Sequence, residues 1–223
     1  SLGWYYQQAL KLSYLFEKSK NKPIIMIDAD TFLIRKMSFF NGEKSNLFST
    51  DYEKHKPYLQ TMNTIFNLNI PYESWVSTTC QLNSLTPNEN KAIIEKLQDF
   101  IPKNSDESIS EWITKLIING VLKTHNKIDR SLFSEQDFIG FFLRYQLGTI
   151  PKNILFLRSF VKYKFTSRQE KIASMLGFSH ITYESWLIKD KKKLMPWINF
   201  IFILILTLLI PSIKTMKSLI RRN

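Results

Sequence analysis

The first twenty residues repeat apolar and polar positions with a helical period. Tyr6, Leu10, Ser13, Tyr14 and Glu17 follow one stripe, and Trp4, Gln8, Leu12, Leu15 and Phe16 broaden it. This pattern predicts a helix over residues 1–20 that Asn21-Lys22-Pro23 ends. Residues 23–34 then read P-I-I-M-I-D-A-D-T-F-L-I. Four apolar residues run into Asp28-Ala29-Asp30, and a second apolar run, Phe32-Leu33-Ile34, follows. Strands buried on both faces have this continuous apolar character, so the stretch predicts a central strand. A strand interior cannot leave carboxylates unpaired. Asp28 and Asp30 are therefore expected where the strand emerges at its carboxyl end, the position at which open α/β sheets hold their ligands.

Further along, residues 47–50 predict a short strand. Residues 51–69 predict a helix with Tyr58, Met62, Ile65 and Phe66 on one face. Residues 71–82 read as an extended stretch carrying Trp75 and Cys80. Thr86-Pro87-Asn88-Glu89 is a helix start, with a cap, a proline at the first position and an acid where a capping box needs it. That helix is expected to reach residue 100. A polar loop, 102–108, precedes a helix over 110–122 with Trp112, Ile113, Leu116 and Ile117 inward. Ser134 can cap another helix, with Asp137 at its third position. Residues 167–176 form a last short helix, closed by Gly177, and 178–186 carry His180 and Glu184. Helices and strands in alternation predict an α/β fold, a mixed sheet flanked by helices.

The C-terminal pattern differs in kind. From residue 194 to 213 there is no charged side chain, and twenty helical residues span about 30 Å, the hydrocarbon thickness of a bilayer. Pro196 suits the first turn and Trp197 the interface. The chain has 223 residues and a net charge of +12. Between Lys189 and Asn223, eight basic residues face one acid, so much of the positive charge flanks the apolar run. That arrangement points to an anionic lipid surface. No zinc spacing, helix-turn-helix pattern or RNP-like aromatic motif accompanies the charge, so nucleic acid is not the expected partner. Four basic residues lie on each side of the run, which leaves membrane orientation open. The expected organisation is a domain over 1–188, a basic linker over 189–193, a membrane helix over 194–213 and a basic tail over 214–223. Cys80 is the one cysteine, so no disulfide forms within the chain, which fits a reducing compartment. Its setting among alternating apolar residues predicts a buried strand residue and not a nucleophile.

Two carboxylates one residue apart at a strand end can share a hard divalent cation that takes its other ligands from water and substrate phosphates. Two chemistries use such a pair. In nucleotide-sugar transfer, a Mn²⁺ or Mg²⁺ ion holds the diphosphate and neutralises the leaving group. In haloacid-dehalogenase-type phosphoryl transfer, the first aspartate is the nucleophile. The second wants D-x-D-x-T/V, whereas here the fifth position is Phe32, with Thr31 one place early, and no later apolar strand ends in an acidic pair. A solvated turn, in a membrane-tethered α/β protein without catalysis, is the remaining alternative.

Three blocks bear on this choice: Gly3-Trp4-Tyr5-Tyr6-Gln7-Gln8-Ala9-Leu10-Lys11-Leu12, Ile27-Asp28-Ala29-Asp30-Thr31-Phe32-Leu33 and Phe133-Ser134-Glu135-Gln136-Asp137-Phe138. Together they resemble a family of bacterial glycosyltransferases with a GT-A-like, Rossmann-like fold, of the kind found among surface-polysaccharide genes. The family pattern at the third block is F-S-E-Y-E followed by Tyr-Gly; here Gln136-Asp137 replace Tyr-Glu, and Gly140 remains without a preceding Tyr. The resemblance covers roughly residues 1–142. It implies that the family's first nucleotide-binding strand lies upstream of Ser1, and that the chain, which begins with Ser and not Met, is a fragment or processed product. It also implies that Asp28 and Asp30 hold the metal and the donor diphosphate, with His180 an optional further ligand. Gln7, Gln8 and Lys11 would reach the donor sugar or phosphates. Glu135 or Asp137 would be the acid beside a glycan or lipid-linked acceptor, the proton acceptor if the enzyme inverts. The expected location is the membrane, with the catalytic domain on the cytoplasmic side.

Overall fold

A computed structural model describes residues 2–50, 53–98, 108–128, 131–159 and 165–183, with Ile201, Leu204 and Ile205. In chain order the elements are α1 (Leu2–Lys18), β1 (Ile24–Ile27), β2 (Thr31–Leu33), β3 (Phe40–Asn41), β4 (Lys44–Ser45) and β5 (Phe48–Ser49). Then come α2 (Lys56–Phe66), β6 (Leu82–Leu85), α3 (Pro87–Gln98), α4 (Ile109–His125), α5 (Glu135–Tyr145), β7 (Lys152–Asn153), β8 (Leu155–Ser159), α6 (Ser167–Met175) and β9 (Phe178–Tyr183). The fold is mixed α/β, with six helices among the described residues. Its described strands form small sheets of two or three strands where a single larger sheet was expected.

The chain divides into two compact units: Ser1–Met26 with Ser38–Lys152, and Ile27–Met37 with Asn153–Asn223. The first is organised by helices. α1 buries Tyr5, Gln8, Ala9, Leu12, Leu15 and Phe16. The stripe of Tyr6, Leu10 and Tyr14 expected to lead the buried face is exposed instead. Apolar residues surround α1, so periodicity alone does not choose the face; packing against α4 and α5 does. Phe66 at the end of α2 meets Phe138, Phe141 and Phe142 of α5, with ring centroids 5.1, 5.4 and 6.2 Å away. α2 and α4 cross closely at Gly120, where an added Cβ would stand 2.5 Å from Ile65 Cγ1.

Local signals set the helix starts. At α3, Thr86 N–H and Oγ1 donate to Glu89 Oε2 at 3.0 and 2.9 Å, and Glu89 N–H returns to Thr86 Oγ1 at 3.3 Å, the expected capping box. At α4, Ser108 and Glu111 form another. At α2, Pro57 lies in the first turn, so the helix begins five residues later than its apolar pattern predicts. Residues 75–79 of the expected extended stretch form no strand; β6 begins at Leu82.

The second unit contains the sheet β2-β9-β8. β2 runs antiparallel to β9, pairing Thr31 with Thr182 and Leu33 with His180. β8 runs parallel to β9. A small core of Leu157, Phe165, Ala173, Phe178 and Ile181 backs it. The central strand expected over residues 23–34 is broken by a turn into β1 and β2, and neither piece is buried on both faces: Ile25 and Phe32 are each 43% exposed. The expected linker, membrane helix and tail lie outside the described residues apart from the helical Ile201, Leu204 and Ile205. Among the described residues no helix is long and apolar enough to cross a membrane.

Candidate functional site

In the second unit, Thr31 N–H donates to Asp28 O at 2.9 Å, closing a turn over residues 28–31. Tyr183 N–H donates to Asp30 O at 2.9 Å, tying the turn to β9. Next to it Thr31 Oγ1 and Thr182 Oγ1 lie 3.2 Å apart, and Phe32 packs edge-on against Tyr183 at 5.4 Å. Asp28 and Asp30 are both half-buried. Two hard oxygen donors on a fixed backbone suit a cation that keeps its waters and takes phosphate oxygens. Among the described residues no group of three or more His, Cys, Asp or Glu is gathered to hold a metal. His180 is not gathered with the aspartates into such a group. It lies fully buried in β9, its ring stacked on Phe156 at 4.6 Å and its Nδ1 2.8 Å from Ser179 Oγ.

In the first unit, the residues singled out on α1 and α5 converge. Trp4, Gln8 and Lys11 recur at steps of four and three, so they share one side of α1. Trp4 Nε1 donates to Phe133 O at 3.0 Å. Gln8 Oε1 accepts from Glu135 N at 3.0 Å. Lys11 Nζ pairs with Glu135 Oε1 at 2.7 Å. Gln8 and Glu135 are buried, the Lys11 side chain is 26% exposed, and Gln7 is exposed. Gln8 and Lys11 thus hold the first turn of α5.

Asp137 occupies the third position of α5, and Ser134 Oγ accepts its N–H at 3.3 Å. Its carboxylate does not return to Ser134 to complete a capping box. It turns to residues 77–79 and is 1% exposed. Oδ1 accepts from Thr78 N at 2.7 Å and from the Ser77 and Thr78 hydroxyls, each at 3.2 Å. Oδ2 accepts from Thr79 Oγ1 at 2.8 Å. Burial pushes the Asp137 carboxyl above its ordinary range, and these donors pull against that shift without cancelling it. Gly140, one turn on, leaves the space: a Cβ there would collide with the Thr78 side chain. Ser77, Thr78 and Thr79 were missed from the sequence, where they read as a strand. A signal existed in two parts, a run of three hydroxyl residues and an isolated glycine inside a helical pattern.

Tyr58 lies on the same region of the first unit, its hydroxyl 2.6 Å from Ser131 Oγ. Burial pushes it up to about 12, and the carboxylates of Asp137, Glu135 and Glu53 add to the shift. Comparison with protein-family models, with curated proteins and with solved structures finds no match to this chain.

Proposed function

We propose that the chain is a GT-A-like glycosyltransferase that moves a sugar from a nucleotide-sugar donor to a glycan or lipid-linked acceptor at a membrane surface. The observation that carries this reading is the turn over residues 28–31, which presents two half-buried aspartates on a backbone fixed by hydrogen bonds at both Asp28 and Asp30. The resemblance of the three sequence blocks supports it, as does the position of Glu135 and Asp137 at one helix start with Gln8 and Lys11 around them. Asp28 and Asp30 would hold Mn²⁺ or Mg²⁺, which when bound supplies charge to the departing diphosphate. The acids of α5 serve the acceptor side. The uncharged run over 194–213 and its basic flanks support work at a lipid surface.

The test is calorimetric titration of Mn²⁺ with a panel of nucleotide sugars, followed by transfer assays on Asp28→Ala and Asp30→Ala. Metal-dependent heat that both variants lose, together with lost transfer and an unchanged fold, supports the proposal. Full transfer in both variants removes it. No heat with any sugar nucleotide favours the second reading, a non-catalytic membrane-tethered α/β protein. The observation on that side is that Glu135 and Asp137 are both buried within structural hydrogen bonds.

A further inference from the structure

The second unit has a small core for the apolar surface it carries. Leu157, Phe165, Ala173, Phe178 and Ile181 are buried together, yet among the described residues about as many large apolar side chains stand exposed as lie inside. Two of the most exposed are neighbours: Met175, which ends α6, is 78% exposed, and Leu176, which caps it, 50%. The end of β2 lies beside them. Ile34 N–H donates to Ser179 O at 3.1 Å, and Arg35 Nη1 donates to Gly177 O at 3.5 Å.

The rim of this surface is basic. Arg168, Lys171 and Met175 recur at steps of three and four, so they share one side of α6, and all three are exposed. Arg35 and Lys36, also exposed, approach from the end of β2. The one acid of α6, Glu170, is half-buried. Apolar side chains gathered in one place and rimmed by charge mark an interaction surface.

Two arguments say what covers it. Leu204, inside the uncharged run over 194–213, packs against the same small core as Ile172 of α6, while Ile201 and Ile205 stay exposed. The stretch whose composition suits a bilayer is thus seated on this unit at Leu204. A second copy of the chain, by contrast, makes a poor cover. A two-fold contact sets a patch against itself, and here the same cations would face one another. An anionic lipid surface takes apolar tips into its interface and long cationic side chains among its headgroups.

We propose that the end of β2 and the last turn of α6 form a membrane contact of their own. Met175 and Leu176 enter the interface of an anionic bilayer, and Arg35, Lys36, Arg168 and Lys171 lie among its headgroups. The contact holds the unit that carries the Asp28–Asp30 turn against the bilayer. The inference rests on the lipid-surface part of the functional reading and not on sugar transfer.

The test places single labels on the full chain. Cys80 is buried, so under native conditions an NBD fluorophore goes to an introduced thiol. Met175→Cys and Leu176→Cys report on the surface; Tyr6→Cys, exposed but in the first unit, is the control. On vesicles of phosphatidylcholine and phosphatidylserine, the labels at Met175→Cys and Leu176→Cys should shift to the blue and be quenched by brominated acyl chains several-fold more than the control. Replacing Arg35, Arg168 and Lys171 by Gln should raise the lipid concentration for half-quenching roughly fivefold per charge removed. Vesicles of phosphatidylcholine alone should quench weakly, and equal quenching on them would overturn the assignment to an anionic surface. A chain that sediments with vesicles while both labels stay in water is anchored by its uncharged run alone, which overturns the proposal. So does a blue shift without vesicles that grows with protein concentration, since it gives the surface to a second copy. A chain that binds no vesicle removes the proposal together with the lipid-surface reading, and leaves sugar transfer to be decided by the Asp28→Ala and Asp30→Ala variants.

Discussion

At the start of α5, Asp137 is buried among four donors, whereas Asp28 and Asp30 lie half-buried in a turn whose own backbone bonds hold its shape. The contrast shows how surroundings decide what a carboxylate can do. An acid withdrawn from water must have its oxygens satisfied by fixed partners, and those partners then make it part of the fold. An acid in a half-exposed turn keeps contact with water, which a cation and its phosphate can replace at small cost. The same residue type is therefore framework in one unit and, on the proposed function, metal ligand in the other.

The largest effect that would break this comparison concerns stability. Asp137→Ala leaves the Thr78 amide and the Thr79 hydroxyl buried without their acceptor, and should cost roughly 3–5 kcal/mol in urea denaturation. Asp28→Ala and Asp30→Ala, at half-buried positions, should each cost clearly less than Asp137→Ala, while abolishing Mn²⁺ heat. If the turn variants lose as much stability as Asp137→Ala, both sites are structural and the distinction collapses.

A smaller effect sharpens the same point through two glycines. Gly140→Ala places a Cβ against the Thr78 side chain next to its backbone, where little can yield, and should cost about 2–3 kcal/mol even after the gain in helix propensity. Gly120→Ala meets the outer carbons of Ile65, which can rotate away, and should cost about 1 kcal/mol or less. Pairing Gly140→Ala with Thr78→Gly should recover part of the loss if residues 77–79 are the obstacle. Equal losses at the two glycines, with no recovery, would show that helix packing in general and not the 77–79 segment sets the penalty.

Local patterns in the sequence were the legible ones. Thr86 with Glu89, Ser134 before α5, and the end of α6 at Gly177, where φ is +93°, each depend on a few neighbouring residues. The face of α1 was not legible, because Tyr6, Leu10 and Tyr14 are as apolar as the residues that pack inward. Nor was the turn within residues 23–34, since a continuous apolar run reads alike whether it lies inside a sheet or folds back with half its residues exposed. At the candidate site, the resemblance of the three sequence blocks picked out Gln8, Lys11, Glu135 and Asp137 but not their partners. Which acid faces Lys11 and which faces Thr78 depends on contacts across 124 and 59 residues, and no local pattern encodes those.

The finest test uses pH and a third carboxylate. Glu111 occupies the same helical position in α4 as Asp137 in α5, but it is exposed and completes its capping box: Ser108 N–H and Oγ donate to Oε2, both at 2.9 Å. Those donors, the backbone N–H first, hold its carboxyl below the ordinary 4.5. Its contribution to stability is present above 4.5 and is lost as pH falls through the lowered folded value. For Asp137 burial raises the folded value above 3.8, so the native state holds the proton more tightly than the unfolded chain. Its contribution is full below 3.8 and is lost as pH rises through the raised value. Urea midpoints followed from acid to neutral pH should therefore show Asp137→Asn removing a decline on the rising side, and Glu111→Gln removing a smaller decline on the falling side. An Asp137→Asn curve parallel to wild type over that whole range would mean that residues 77–79 hold an ordinary ionised carboxylate, and that burial is not what separates this acid from those in the turn.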